Sequence, residues 1–418
     1  MLSRGRGGAE RPAPNPAYSV RIHIPPDADA IVESVLADAP GTVARRADEP
    51  DVTGARRITL DADGPRTLAW LTRALARRLG ADLLHAQDPV FTTASTGKLT
   101  LRVCAATSTG HDVALLDADA DRRVVSHLAA HPEHTDRYTG RGHRVALISD
   151  ASAVLGFDEL PADAVLPALE SQAVHLRRAT GLDVFPLPVA TPDVTDIARA
   201  VRILAPGFAA AVLVHTRLDR VTVTHAALGP TPPVLLLDTI NDGLAPATAA
   251  ATVNALVNRG LNPLSARVIV VDPAAGGDLA GLLIACGIAD LTLFDPFTHG
   301  ADALHTIADG ADLIVDLTAF ATPPPGVPVL RARPDTPPAF GATTTGPRPL
   351  HALPGLLTAA TTTRRAITGH ARVAAVYALI ENTPRNALLP PTDQPGLTAV
   401  VSAAATRALD NDPDRDRG

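Results

Sequence analysis

Aromatic side chains are scarce in this chain: Phe, Trp and Tyr together make up 3 % of its 418 residues. The interior must therefore be built from Val, Leu, Ile and Ala. Cysteine is almost absent too. Cys104 and Cys286 both lie in apolar stretches and read as buried free thiols of a cytosolic protein. No apolar run reaches the roughly 18 residues of a membrane span, and the N-terminus lacks the apolar core of a signal peptide. The expectation is a cytoplasmic protein. There is no excess of positive charge, since the formal net charge is −7, and so no basis for a nucleic acid or an anionic membrane as partner. Hydrophobic residues at 46 % and charged residues at 19 % describe a globular chain, long enough for two or three full cores.

The most organised stretch runs from Pro233 to Pro296. Ala266–Val271 is a short β-branched run, the pattern of a strand buried on both faces. The turn Asp272–Gly277 follows, then an apolar helix from about Asp278 to Cys286, then the strand Leu291–Phe294 ending in Asp295. Strand, Gly-containing turn, helix, strand and terminal acid outline a dinucleotide-binding βαβ unit. The residues that would hold NAD or NADP are Gly276, Gly277 and Asp295, the last at the ribose position. The fingerprint is incomplete. Asp272 and Ala274 occupy the two slots that want glycine, and Asp272 and Asp278 put carboxylates where a pyrophosphate would sit, or else cap the helix.

Upstream, residues 1–17 are rich in Gly, Pro and Arg and read as a disordered tail. Ser19–Ile24 alternates like a half-buried strand, with a helix expected over 27–37. Extended pieces at 42–44 and 56–61, a helix over 66–79 and a closing strand at 81–84 complete a βαββαβ order. That order is the ferredoxin-like arrangement, shared by small regulatory domains of the ACT type. From residue 94 the pattern alternates strands (97–103, 144–148, 184–188, 210–214) with helices (117–131, 161–180, 194–204), which argues α/β.

Several segments of this second half, taken in order, carry a resemblance. They are Tyr138-Thr139, Arg144–Gly156, Leu166–Ala173, Thr180–Pro186, Pro233–Leu256, Leu353–Ala360, Leu388–Pro390 and the 398–409 helix. Their order and spacing resemble those of the bacterial malic enzymes, over about residues 95–410. An ACT-like domain before the malic domain also occurs in that family. The resemblance implies an ACT-like domain over 18–92, an α/β malic-type domain over 93–230, a Rossmann-like doubly wound parallel sheet over 231–410, and a tail over 411–418. By the same analogy the chain is a homodimer.

Malic enzymes oxidise malate with NAD(P) and decarboxylate the product on a divalent metal. They use a Lys base, a Tyr acid and a carboxylate cage. At the Lys position this chain has Gln172, within Glu170–Ala173. The Tyr position falls near Leu116 or Asp117. The metal-binding acid pair falls on Val214 and His215, and the third ligand on Ile240, although a slip of two residues would offer Asp238 or Asp242. Arg333 and Arg348 stand where substrate-side Asn residues belong. No catalytic or metal-ligating set is therefore assigned, and a divalent metal is not expected. The reading is a malic-enzyme-like protein that binds a small-molecule ligand, or regulates, without conventional turnover. The alternatives are a divergent NAD(P)-dependent malic enzyme and an ACT-type small-molecule sensor.

Remaining candidates read as structural. His215, Asp219 and His225 sit on segments that look like strands too far apart to converge. The histidines at 111, 127, 131, 134 and 143 lack ligand spacing and read as a solvated face. Asp150 and Asp183 either line the cleft or serve loop and strand ends. Residues 321–348, rich in Pro and Thr, read as a stiffened surface loop.

Overall fold

Alternating apolar residues on two strands of one ladder must face the same side, and this sets the first unit. β1 (Ser19–Ile24) pairs antiparallel with β3 (Arg56–Ala62) in the register Ile22↔Ile58 and Val20↔Leu60. The structure, a computed structural model, describes residues 13–95, 97–154, 157, 160–191, 193–300, 303–318, 321–322, 324–333 and 346–411. The expected tail over 1–17 and the C-terminal tail lie largely outside the described residues, as do residue 323 and residues 334–345 of the expected 321–348 loop. β2 (Val43–Ala47) and β4 (His85–Gln87) complete an antiparallel sheet of order β2-β3-β1-β4. The Asp29–Ala37 and Pro65–Leu79 helices bury Val32, Val35, Leu71 and Leu75 against Ile22, Ile58 and Leu60. This is the βαββαβ order read from the sequence. The closing strand is 85–87, not 81–84, because Gly80 (φ +53°) ends the helix and residues 80–82 spend one 3-10 turn before the sheet is reached.

The chain divides into two compact units with the boundary at Lys98/Leu99, and residues 93–230 and 231–410 fall mostly in the second. The strand expected at 97–103 does not form. Its alternation has no sheet edge to pair with, and Leu101 and Val103 stand exposed. Cys104 follows on the same segment and is exposed, contrary to expectation, whereas Cys286 is buried.

The second unit holds two parallel sheets. The first comprises β5 (Arg144–Ser149), β6 (Asp183–Pro188), β7 (Ala210–Leu213) and β8 (Leu235–Asp238), in the order β6-β5-β7-β8. The second comprises β9 (Arg267–Val271), β10 (Asp290–Phe294), β11 (Leu313–Asp316) and β12 (Val329–Arg331), in the order β10-β9-β11-β12. Strands buried on both faces read as unbroken apolar runs, and Val268–Val271 is out of solvent throughout. Pro186 is tolerated because β6 is an edge strand.

Helices with few large side chains pack between the sheets. In Ala245–Asn258 nearly every residue is buried, from Ala247 to Ala251 without a break. Gly355 on the Leu353–Thr363 helix lets the Leu397–Asp410 helix approach until a Cβ there would stand 2.5 Å from Val401. Close approach of small residues thus supplies the packing that rings provide elsewhere. Among the described residues no helix is long and apolar enough to cross a membrane.

Candidate functional site

In each parallel sheet the chain leaves one central strand for a neighbour on one side and then returns on the other. The crevice at that reversal, beyond the strands' carboxyl ends, is where open α/β sheets bind ligands. Here the reversals lie between β5 and β7 and between β9 and β11, and both open into one cleft of about 720 Å³. The first sheet supplies Ser152, Val214, His215, Thr239 and Ile240. The second supplies Asp272, Leu317, Thr318 and Arg333, and Gln172, Arg217, Asp219 and Arg348 also line it.

The backbone is strained at this cleft. Ala151 (φ +61°), His215 (φ +51°) and Asp272 (φ +60°) are left-handed non-glycine residues just beyond β5, β7 and β9. Such positions cost about 1–3 kcal/mol each and gather where function demands the geometry. Hydrogen bonds tie the loops together. Ala153 N donates to His215 O at 3.0 Å, Arg217 N to Ser152 Oγ at 3.0 Å, and Ser149 Oγ to His215 O at 3.3 Å.

The buried carboxylates near the cleft are already engaged. Asp150 is buried, paired with Arg220 at 2.8 Å and capped by Ser152 Oγ at 2.7 Å. Asp238 Oδ1 accepts the amides of Ile240 (2.9 Å) and Asn241 (2.7 Å). Its Oδ2 accepts Asn241 Nδ2 at 2.9 Å and stands 3.3 Å from His225 Nε2. Asp242 Oδ2 accepts Asp238 N at 2.9 Å, and its Oδ1 accepts Arg372 Nε at 2.9 Å. Burial works to raise the Asp238 carboxyl, but bonds from His225 and Asn241 outweigh it and hold the group below the usual range. Asp242 is pushed up by burial and by the Asp238 charge despite Arg372. At the cleft wall, burial and the neighbouring Asp295 and Asp316 charges raise Asp272. Asp219 pairs with Arg217 at 2.9 Å.

Cations face the same space. Arg348 has no carboxylate partner among the described residues, its Nε is buried without a hydrogen-bond partner, and burial lowers its pKa. Arg333 also lines the cleft. No lysine and no tyrosine is among the described residues that do.

The sequence-derived candidates fall as follows. Gln172, Val214, His215, Ile240, Arg333 and Arg348 come together at the cleft. Leu116 and Asp117 stand exposed on the 110–117 segment, away from it. Asp183 opens β6, at the end opposite the cleft, and pairs with Arg177. Asp219 and His225 ride the Leu218–Leu228 helix, not a strand; Asp219 lines the cleft together with His215, contrary to expectation, whereas His225 does not, and the three form no metal-ligand group. Gly277 (φ +56°) abuts Asn241, whose Oδ1 a Cβ would overlap, and a Cβ on Gly276 would stand 2.8 Å from Leu317. Asp295 caps the Pro296–His299 turn through Phe297 N at 2.9 Å and Thr298 Oγ1 at 2.5 Å. Arg220, Asn241 and Arg372 carry no signal in the sequence. Their partners lie in other elements or depend on a tight turn, and no local spacing marks them. The histidines at 127, 131 and 134 do gather, contrary to the spacing argument, while 111 and 143 stay apart.

Among curated proteins the chain is similar to the bifunctional malic/malolactic enzyme of Bacillus subtilis, at 30 % identity over 159 residues, which are 38 % of this chain and 39 % of that protein. It is also similar to the NAD-dependent malic enzyme of Geobacillus stearothermophilus, at 25 % identity over 248 residues, 59 % of this chain and 51 % of that protein. Its match thus spans about half or less of the length of these relatives. The solved NAD-dependent malic enzyme of Thermotoga maritima has the same fold, with a TM-score of 0.67 at 20 % identity, covering 77 % of this chain and 99 % of that one. No family model matches the chain.

Proposed function

Taking as premise that the chain is a low-identity homologue of the bacterial malic enzymes, we propose that its cleft binds a small carboxylate-bearing ligand and does not run metal-dependent oxidative decarboxylation. The observation that carries this reading is the chemistry of the lining: Arg348, without a carboxylate partner among the described residues, faces a cleft beside which the buried acids Asp150, Asp238 and Asp242 are already engaged. A partly buried guanidinium whose Nε finds no partner is unfavourable, and a bidentate carboxylate is its natural complement. Strain at Ala151, His215 and Asp272 supports a working cleft rather than an incidental one.

Gln172 cannot take a hydroxyl proton near neutral pH, and loss of a general base alone removes roughly two to four orders of magnitude in rate. A hard cation wants several free oxygens. The positions the resemblance assigns to metal hold Val214, His215 and Ile240, while Asp238 and Asp242 spend their oxygens on Asn241, His225, Arg372 and backbone amides. These residues do not fit a catalytic divalent ion. The dinucleotide loop fits poorly as well. Asn241 and Leu317 fill the space beside Gly277 and Gly276, and the Asp278 carboxylate stands at the helix start, paired with Arg372 at 2.7 Å.

Calorimetry with the full chain tests the reading. L-malate and related dicarboxylates are expected to bind saturably, equally with and without Mn2+, and at least tenfold more weakly to R348A. Binding that requires the metal, or is indifferent to R348A, overturns it. A second reading, a divergent NAD(P)-dependent malic enzyme, is favoured by the names of the relatives. Steady formation of pyruvate would establish it.

A further inference from the structure

The Ala118–Ala130 helix buries none of its 13 residues, and Val124 and Val125 stand in solvent. A helix of that length without a packed face is marginal in water, so its end needs an anchor. The sequence ends it sharply. His131 takes the C-cap, its N–H donating to His127 O at 2.8 Å, and Pro132 opens a 3-10 turn, Pro132–His134. One helical turn separates His127 from His131, so both share a face. The 3-10 turn then folds His134 back over them, with ring centroids 4.9–5.4 Å apart among the three. Glu133 enters the same group. Its Oε1 is 3.4 Å from His131 Nδ1 and 4.0 Å from His134 Nε2.

We propose that His131, Glu133 and His134 bind a first-row divalent transition ion, Zn2+ by ligand type, which clips the exposed helix to the turn that follows it. One ligand atom from each of the three residues lies within 4.8 Å of the others. Tetrahedral ligands at the usual 2.0–2.1 Å stand about 3.3 Å apart, so the 3.4 Å pair fits as it is and the 4.0 Å pair closes with a small side-chain rotation. A metal-bound imidazole almost always donates its second ring N–H to a partner that fixes its orientation. His134 has one: its Nδ1 lies 2.9 Å from His127 Nε2. With Nε2 on the ion, His134 carries its proton on Nδ1 and His127 accepts. The carbonyl end of the helix favours a cation on this side, and imidazole with carboxylate suits zinc better than magnesium or calcium. A hydrogen-bonded pair of rings, three candidate ligand atoms and a helix with no buried residue meet at one point. The Tyr138 ring packs edge-on against His127 at 5.3 Å and His134 at 6.2 Å and holds the group in place. Beyond the turn, Asp136 pairs with Arg364 at 2.6 Å, so the clip would join the helix to a segment already fastened to the body. This proposal is independent of the ligand cleft.

The test is Zn2+ calorimetry on the full chain without a histidine tag, with Co2+ absorption as a reporter of tetrahedral coordination. One ion per chain is expected. H134Q and H131A each weaken binding more than tenfold, H127Q weakens it about 10–100-fold, and H111Q leaves it unchanged. Hydrogen exchange over residues 118–134 is expected to slow on adding Zn2+. No saturable uptake, or uptake unaltered in H131A/H134A, overturns the site, and unchanged exchange on binding overturns the clip. The substituted side chains are surface groups, and circular dichroism of each variant verifies the fold.

Discussion

Arg372 Nε lies 2.9 Å from Asp242 Oδ1, with side chains 16 % and 1 % exposed, and this pair locks the Gly369–Glu381 helix to the turn after β8. Burial works against the guanidinium, but Asp242 and Asp278 outweigh it and raise its pKa. R372A leaves a buried carboxylate unpaired. The expected cost is roughly 3–5 kcal/mol, read as a lower midpoint in urea with unchanged slope. A loss under about 1 kcal/mol would mean the pair contributes little.

His351 gives stability a specific pH dependence. It is 1 % exposed on the Pro349–His351 turn, and burial first, then the Arg348 charge, push its pKa from 6.5 to about 4. Below pH 6.5 the unfolded chain takes up a proton that the native protein refuses. Stability therefore falls as pH drops from 6.5 toward 4, by about 1.4 kcal/mol per unit. Measured as a difference against H351N, which removes the titration, this slope isolates His351 from the carboxylates. Parallel stability–pH curves for the two proteins would contradict the assignment.

Two neighbouring glycines should respond in opposite ways. Gly277 sits at φ +56° against Asn241, so G277A is expected to lose about 1–3 kcal/mol. Gly281, on the Leu279–Ala285 helix, has open space around its Cβ direction. G281A is expected to gain about 0.5–1 kcal/mol. Denaturant unfolding of both variants checks the contrast, and equal effects would refute the close packing of Asn241 on this loop.

What could be read from the sequence follows the range of the forces involved. β9 was legible because a strand buried on both faces must be apolar without interruption. The Pro65–Leu79 helix was legible because its leucines recur at helical spacing. Residues 97–103 have equal alternation but no partner edge, and a pattern of period two cannot say whether one exists. The expected burial of Cys104 fails for the same reason. Gln172, Val214, His215 and Ile240 reached the cleft as the resemblance implied. Arg372 and Asp242 lie 130 positions apart, and Arg220 and Asp150 lie 70 apart, so neither pair leaves a local signature. The left-handed backbone at Ala151, His215 and Asp272 was equally hidden, since no glycine announces it.

On the proposed function the cleft binds a small carboxylate without turning malate over, the buried Asp150, Asp238 and Asp242 being taken up by side-chain and backbone partners. Steady-state assay of the purified chain with malate, NAD or NADP, and Mg2+ or Mn2+, following both reduced nicotinamide and pyruvate, tests it most directly. Neither product is expected above a protein-free blank. Stoichiometric pyruvate and reduced cofactor, abolished by chelation and restored by the metal, would contradict it.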